Sequence, residues 1–291
     1  MTDTTRASLI VAATGIFWGL YWLPVRALDA GGLPGAWGTV LITAVAALLL
    51  SPLAFRAREF LRAASPAALV SIAIGGAAFA IYSVGLLYGR VALVILLYFL
   101  TPVWSTLLGR ALFGWPITRT RTAALVSGLA GLGLMLGADG GWPLPRSAGE
   151  WMALGAGMLW SVGTTGMRTR STLEPAPSAF VFALGACLSA LALAPFLSNA
   201  PSLPTPAALA TALAGGALWW GLSIAALMWA TIRLEPARAG ILLMSEVLVG
   251  ALSAALLAGE TLAPLEIAGG ALVLLAGLLE LRLQRGAQPA R

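Results

Sequence analysis

One acidic residue, Glu246, lies in the middle of a long apolar stretch. The stretch runs from about 237 to 258, and the other ten of the eleven acidic residues fall in loops, in tails or near the ends of apolar stretches. In a membrane-spanning helix, which rises about 1.5 Å per residue, Glu246 would be roughly 13 Å deep. A charge at that depth costs about 2.5–3.5 kcal/mol, so we expect the carboxyl group to face the protein interior and to be functional.

Three roles for Glu246 fit this position. The carboxylate can be the counter-charge of a substrate ammonium group, or it can be a proton-binding site coupled to transport. The structural alternative is a protonated carboxyl group that hydrogen-bonds to a neighbouring helix. Only the first two roles give Glu246 a part in function.

Aromatic side chains also lie near the middle of apolar stretches. Tryptophan is more common at membrane interfaces, because its N–H group needs a partner. Several aromatic residues at mid-depth therefore indicate a cavity that supplies stacking faces and hydrogen-bond partners, and the alternative is close packing between helices. The candidate substrate-binding aromatic residues are Trp18, Tyr82, Tyr98, Trp160 and Trp219, and Trp104 and Trp220 lie at similar depth.

Small polar residues and one proline complete the candidate site. Pro102, in the motif YFLTPVW at 98–104, lies in the middle of its stretch, where it leaves a carbonyl group that lipid cannot satisfy. We expect neighbouring helices or a wet cavity to satisfy that group. Hydroxyl groups at similar positions can bond a substrate carboxylate or bond within their own helices. These hydroxyl-bearing residues are Ser83, Thr101, Thr164, Ser223 and Ser245.

Absent residue types exclude several kinds of chemistry. The chain has no histidine, which excludes histidine metal sites, serine–histidine–aspartate triads and histidine-ligated haem. All seventeen basic residues are arginine, which excludes a P-loop and a lysine Schiff base. The single cysteine, Cys187, has no intrachain disulfide partner. Glu246 is the only mid-depth acid, so acid–base catalysis lacks a second group, and we expect no catalytic residues, metal or other cofactor.

The elements that position these residues are membrane-spanning helices. The chain of 291 residues is 59% hydrophobic and 10% charged, against about 25% charged in soluble proteins. A bilayer core needs about 20 apolar residues per helical crossing. The sequence predicts ten such segments, at 7–28, 35–55, 66–88, 91–112, 122–138, 149–167, 178–197, 207–231, 237–258 and 264–282.

The distribution of arginine predicts the orientation. With the N-terminus inside, three arginines fall outside, Arg26, Arg90 and Arg146, and the other fourteen of seventeen fall inside. This bias predicts that both termini lie in the cytoplasm. The net charge of +6 comes from arginines scattered among short loops, so we expect no nucleic-acid partner. Arg26 and Arg90, at outer helix ends, are interpreted as interfacial anchors.

The two halves of the chain resemble each other at spacings of about 140 to 145 residues. Gly75-Gly76-Ala77 recurs as Gly215-Gly216-Ala217, and Ser83 then aligns with Ser223. Each half has five segments, an odd number, so the two halves begin on opposite sides of the membrane. The second half, 146–291, would therefore insert upside down relative to the first, 1–145. Inverted repeats are typical of secondary transporters, whose binding site lies near the middle of the membrane between the repeats.

Pairs of glycines predict close contacts between helices. The pairs Gly15/Gly19 and Gly133/Gly137 have the GxxxG spacing. Such pairs let two helix backbones approach each other in a membrane. We interpret both pairs as structural.

This pattern resembles the drug/metabolite transporter superfamily, in particular its ten-helix EamA-type members. The resemblance implies transport of small metabolites across a bacterial inner (cytoplasmic) membrane, with segments five and ten as scaffold beside the site. The aromatic content is similar to that of the branch that exports aromatic amino acids. One departure is that Glu246-Val247 stands where the first half has Thr101-Pro102. The resemblance is carried by Trp18-Gly19, by 85–102, by Trp160, by RLEPARAGILLMSEVLVGALSAALLAGE at 233–260, and by Glu266, Gly269, Gly270 and Gly277.

The sequence therefore predicts an all-α integral membrane protein with ten transmembrane helices, arranged as two inverted five-helix repeats around a central cavity. The expected function is export of amino acids, aromatic or bulky and apolar, by alternating access. The expected partners are the small-molecule substrate and the lipid bilayer. The alternatives are another solute class, such as nucleosides or drug-like cations, a membrane-embedded enzyme, or a channel.

Overall fold

The computed structural model describes residues 3–114, 117–171, 173–231, 233–234, 239 and 242–286. Most of these residues are helical, and none of them lies in a β-strand. The helices are α1 (Asp3–Gly19), α2 (Trp22–Ala30), α3 (Trp37–Arg56), α4 (Arg58–Ala63), α5 (Pro66–Tyr88), α6 (Val91–Tyr98), α7 (Thr101–Phe113), α8 (Arg119–Leu136), α9 (Ala148–Arg170), α10 (Pro175–Leu197), α11 (Pro206–Ala214), a π-helical segment (Gly215–Ser223), α12 (Ile224–Thr231), α13 (Ser245–Leu257) and α14 (Pro264–Gly286).

Local sequence explains where many of these helices begin and end. The side chains of Ser65, Thr118, Ser147 and Thr205 each accept a hydrogen bond from a backbone N–H of the first turn, of α5, α8, α9 and α11 respectively. Such caps satisfy groups that the helix itself leaves unpaired. Helix α7 ends at Phe113, and the φ of 64° at the next residue, Gly114, favours glycine.

Six stretches of the described chain are helical, long and apolar enough to cross a membrane. They are Asp3–Ala30, Trp37–Arg56, Pro66–Tyr88, Val91–Ala111, Pro175–Leu197 and Pro206–Leu227. Large apolar side chains such as Leu48, Phe55, Leu222 and Leu256 are exposed on the helices. A surface this apolar is compatible with a helical membrane protein.

Each of the ten expected segments coincides with helical structure, but several are interrupted. The first is divided between α1 and α2, and the eighth contains the π-helical segment. Residues 235–238, 240 and 241, near the start of the ninth segment, lie outside the described part of the chain, as do both termini.

The fourth segment is irregular just before Pro102. Helix α6 ends at Tyr98, and α7 begins at Thr101 with proline in its first two positions. Proline is tolerated there because the first N–H groups of a helix have no partner within the helix. The expected fourth segment is therefore present as one apolar stretch, Val91–Ala111, with an irregular turn at residues 99–100 just before Pro102.

Helix α5 packs against both α9 and α10, and α10 packs against α3. A Cβ atom on Gly163 of α9 would lie 2.8 Å from the backbone nitrogen of Gly75, so the backbones of α5 and α9 are in contact. Helix α8 packs separately against α14, where the Ser127 hydroxyl donates to the carbonyl of Leu272 at 2.8 Å. Helix α5 is therefore the link between the elements that carry the candidate site.

The two GxxxG pairs have different outcomes. A Cβ atom on Gly19 would lie 2.8 Å from the carbonyl oxygen of Glu246, so the first pair does allow close approach of α1 and α13. The space around Gly133 is open within 4 Å. The expectation for Gly133/Gly137 was therefore wrong among the described residues, and Gly131 makes the close contact with α14 at Gly269.

Candidate functional site

Glu246 lies in the first turn of α13 and is only 7% exposed. Its Oε1 atom accepts a hydrogen bond from the hydroxyl of Tyr82, on α5, at 3.2 Å. The burial agrees with the expected interior position. The helix begins at Ser245, so Glu246 is near a helix N-terminus, where the helix dipole favours negative charge. The sequence interpretation of a mid-helix carboxylate did not include this stabilisation.

The tyrosine pair beside Glu246 has one unsatisfied hydroxyl. Tyr82 and Tyr98 stack with ring centroids 4.4 Å apart. Tyr98 is 6% exposed, and its hydroxyl has no hydrogen-bond partner among the described residues. The buried Nε1 of Trp104 is also without a partner in that part of the chain. An unpaired buried donor costs about 1–3 kcal/mol, so these two donors are positions where a ligand or water would complete the site.

Phe79, on α5, is the centre of the aromatic cluster. Its ring centroid lies 5.0 Å from that of Trp18 and 5.4 Å from that of Trp160. Sequence reasoning missed Phe79, although it lies three residues before Tyr82, which is a neighbouring position on a helix surface. The other aromatic residues around Phe79 are Tyr82, Tyr98, Phe182 and Trp220.

The π-helical segment joins this cluster to α1. The indole N–H of Trp18 donates to the Ser223 hydroxyl at 2.9 Å. The Trp219 indole donates to the carbonyl of Phe17 at 3.0 Å, and the two rings stack 3.8 Å apart. The indole N–H of Trp219 is thus already bonded to α1, which favours a role in helix packing over substrate binding for this residue. A π-helical turn often marks a functional site, and here it brings Trp219 and Ser223 to α1.

Most of the candidate hydroxyl groups already have protein partners. Ser83 bonds to the hydroxyls of Thr39 at 2.9 Å and Tyr21 at 3.3 Å. Thr164 donates to the carbonyl of Trp160, within its own helix, at 2.7 Å. Ser245 donates to the carbonyls of Leu242 and Ala12. These bonds favour structural roles for the three hydroxyl groups.

The backbone of Thr101, next to Pro102, contacts α9. The hydroxyl of Ser161 donates to the carbonyl of Thr101 at 3.1 Å. Pro102 leaves the carbonyl of Tyr98, four residues earlier, without its helical partner. The bond from Ser161 is to a different carbonyl, so it ties α7 to α9 without satisfying that group. The structure therefore brings Glu246, Tyr82 and Tyr98 into one cluster and places Thr101 and Pro102 beside it.

A second polar group of residues lies at the end of the bundle where α5 ends. Arg90 donates to both carboxylate oxygens of Glu266, at 2.6 and 3.0 Å, and also to the carbonyl of Thr261. The hydrogen bonds to Glu266 raise the pKa of Arg90, so its guanidinium stays charged. We call the group formed by Arg26, Arg90, Glu260 and Glu266 the end network.

Glu260 pairs with Arg26 and holds the start of α6. Its carboxylate accepts from the backbone N–H of Val91 at 2.7 Å and of Ala92 at 3.1 Å, at the start of α6. Arg26 lies 3.5 Å from Glu260. Both arginines thus join the first half of the chain to the second. The interpretation of Arg26 and Arg90 as interfacial anchors did not foresee these pairs.

The comparisons with known proteins show a shared fold. No protein-family model matches the chain, and no curated protein matches it significantly. A crystal structure of another protein aligns with 98% of this chain and 99% of its own, with a TM-score of 0.60 and 21% sequence identity. At this identity the likeness shows the fold alone.

Proposed function

We propose that this chain is a ten-span secondary transporter of the drug/metabolite transporter superfamily, of the EamA type. It exports amino acids across the bacterial inner membrane by alternating access. Its halves, 1–145 and 146–291, are inverted five-helix repeats. Support for the duplication comes from α7 and α13, which each have 13 residues and precede glycines of similar φ, 64° at Gly114 and 66° at Gly259.

The observation that carries the proposal is the bond between Tyr82 and Glu246. It joins a residue of the first half to a residue of the second, 164 positions apart, inside the aromatic cluster. A carboxylate among aromatic faces suits a substrate ammonium group, which gains both ionic and cation–π attraction. The rings around Phe79 suit a bulky apolar side chain.

The unpaired donors favour an amino acid over a simple cation. A zwitterion brings a carboxylate as well as an ammonium group, and the carboxylate needs hydrogen-bond donors. The hydroxyl of Tyr98 and the indole N–H of Trp104 are buried donors without partners among the described residues. We therefore assign the substrate carboxylate to Tyr98 and Trp104, and the ammonium group to Glu246.

Alternating access is supported by the end network. Its four side chains connect the two halves at one end of the bundle. A transporter opens toward one side while it closes toward the other, so contacts between repeats at one end must break in each cycle. The end network is the contact that we expect to break when the site opens outward.

Binding and counterflow test the proposal. Phenylalanine, phenethylamine, which lacks the carboxylate, and 3-phenylpropionate, which lacks the ammonium group, are compared on purified protein in vesicles. Glu246→Gln should weaken binding of the two amines about 100-fold, since loss of a charged partner costs a few kcal/mol, and should spare the acid. Tyr98→Phe should weaken binding of the two acids and spare phenethylamine. Ser8→Ala, at a half-buried position near the start of α1, is the control.

The same vesicles separate the roles of Glu246 and the classes of protein. Preloaded substrate should accelerate uptake of labelled substrate if the protein alternates, whereas a channel would show no such acceleration. If Glu246 is the proton site, Glu246→Gln should still exchange substrate but should not concentrate it. Wild-type binding and pH-dependent exchange in this variant would remove Glu246 from the mechanism.

A further inference from the structure

A half-open groove of about 370 Å³ lies between α5, α7 and α9, away from the aromatic cluster. Its walls are mainly apolar and include Val70, Ile74, Leu108 and Val162. The buried hydroxyl of Ser71 donates to the carbonyl of Ala67, within α5. The groove therefore offers a ligand little besides apolar contact along most of its length.

The groove has the length of one membrane leaflet. It extends from Pro66 to Ile74 on α5 and from Val162 to Arg170 on α9. Eight residues of helix rise about 12 Å. Half of the hydrocarbon core of a bilayer is about 15 Å thick. An acyl chain lying along the two helices would therefore fill the groove from the membrane surface almost to the middle of the bilayer.

One end of the groove is positively charged. Arg170 lines it, is exposed, and forms no ion pair with any residue that the structure describes. The exposed side chains of Arg62 and Arg110 belong to the same end of the bundle, opposite the end network. Basic side chains at the edge of a groove between helices attract anionic lipid headgroups.

We propose that this groove binds one anionic phospholipid of the arginine-rich leaflet, with an acyl chain along α5 and α9 and the phosphate group at Arg170. Charge complementarity selects the headgroup, and the apolar walls hold the chain. The site requires the membrane environment but not the proposed transport activity. Its failure and the failure of the proposed function are therefore distinguishable.

The test uses the full-length protein in detergent, with phosphatidylglycerol or phosphatidylcholine of identical acyl chains added. Bound lipid is counted by native mass spectrometry. Wild-type protein should prefer phosphatidylglycerol, and Arg170→Gln should weaken its binding about fivefold, the change expected from one arginine near an anionic surface. Arg119→Gln, which removes another exposed arginine at a helix end, should bind both lipids as the wild type does.

A second pair of variants tests the apolar part of the site. Val70→Trp fills the groove and should lower binding of both lipids. Val126→Trp is the matched control, because Val126 on α8 is 59% exposed and Val70 is 57% exposed. Equal binding of the two lipids by wild-type protein, equal losses in Arg170→Gln and Arg119→Gln, or unchanged lipid binding in Val70→Trp would each overturn the proposal. Loss of solute binding in Val70→Trp with lipid preference intact would show that the solute occupies the groove instead.

Discussion

Replacement of Arg90 by methionine should destabilise the protein, because the buried carboxylate of Glu266 would lose its charged partner. Glu266 has a side chain that is only 8% exposed, and it accepts two bonds from Arg90 and one from the backbone N–H of Ala263 at 2.8 Å. In Arg90→Met, the Ala263 N–H is the only donor of these three that remains. Methionine keeps an unbranched apolar side chain, so the change removes mainly the charge and the donors.

The size of the effect follows from the unequal exposure of the two partners. Breaking a fully buried ion pair costs about 3–5 kcal/mol, and exposed pairs contribute about 0–1 kcal/mol. The side chain of Arg90 is 38% exposed and that of Glu266 is nearly buried. We therefore expect a loss of about 2 kcal/mol, which would lower the melting temperature by about 4–8 °C.

Thermal unfolding in detergent, followed by tryptophan fluorescence, measures this loss. Arg146→Met is the matched control, because Arg146 and its partner Asp139 are 49% and 55% exposed, and its effect should stay within about 0.5 kcal/mol. Combining Arg90→Met with Glu266→Gln should cost less than the sum of the two single changes, since the same pair is lost once. Equal destabilisation by Arg90→Met and Arg146→Met would refute the argument from burial.

Three further outcomes are expected. Pro102→Ala restores an N–H at the α6–α7 break and should alter exchange kinetics in vesicles without preventing insertion; unchanged kinetics would make Pro102 a passive feature. A cysteine at Gly141 should label from outside while a reporter fused after Arg291, outside the described residues, is active in the cytoplasm; an inaccessible Gly141 site would contradict the orientation. Gly131→Leu should lose about 1–3 kcal/mol by overpacking, whereas Gly133→Leu, in open space, should melt like the wild type; equal melting would contradict the α8–α14 contact.

Local sequence determined where the helices lie and that their surfaces are apolar. Apolar stretches of about 20 residues, bounded by caps such as Ser65 and Thr205, predict where helices lie because these signals act within one turn. The interior position of Glu246 also follows from sequence, since a charge is costly in an apolar stretch. The sequence identified Pro102 as a disruption of the fourth segment. It did not show that α6 ends at Tyr98, because the spacing of residues carries no information about the backbone angles there.

The tertiary structure decided which of these residues meet. The bond between Tyr82 and Glu246 spans 164 positions, and the pair of Arg90 and Glu266 spans 176. The periodicity of a helix predicts neighbours three or four residues apart, so it contains no information about partners at such separations. Phe79 shows the same limit, because its place among six aromatic rings comes from the packing of α5 against helices from both halves of the chain.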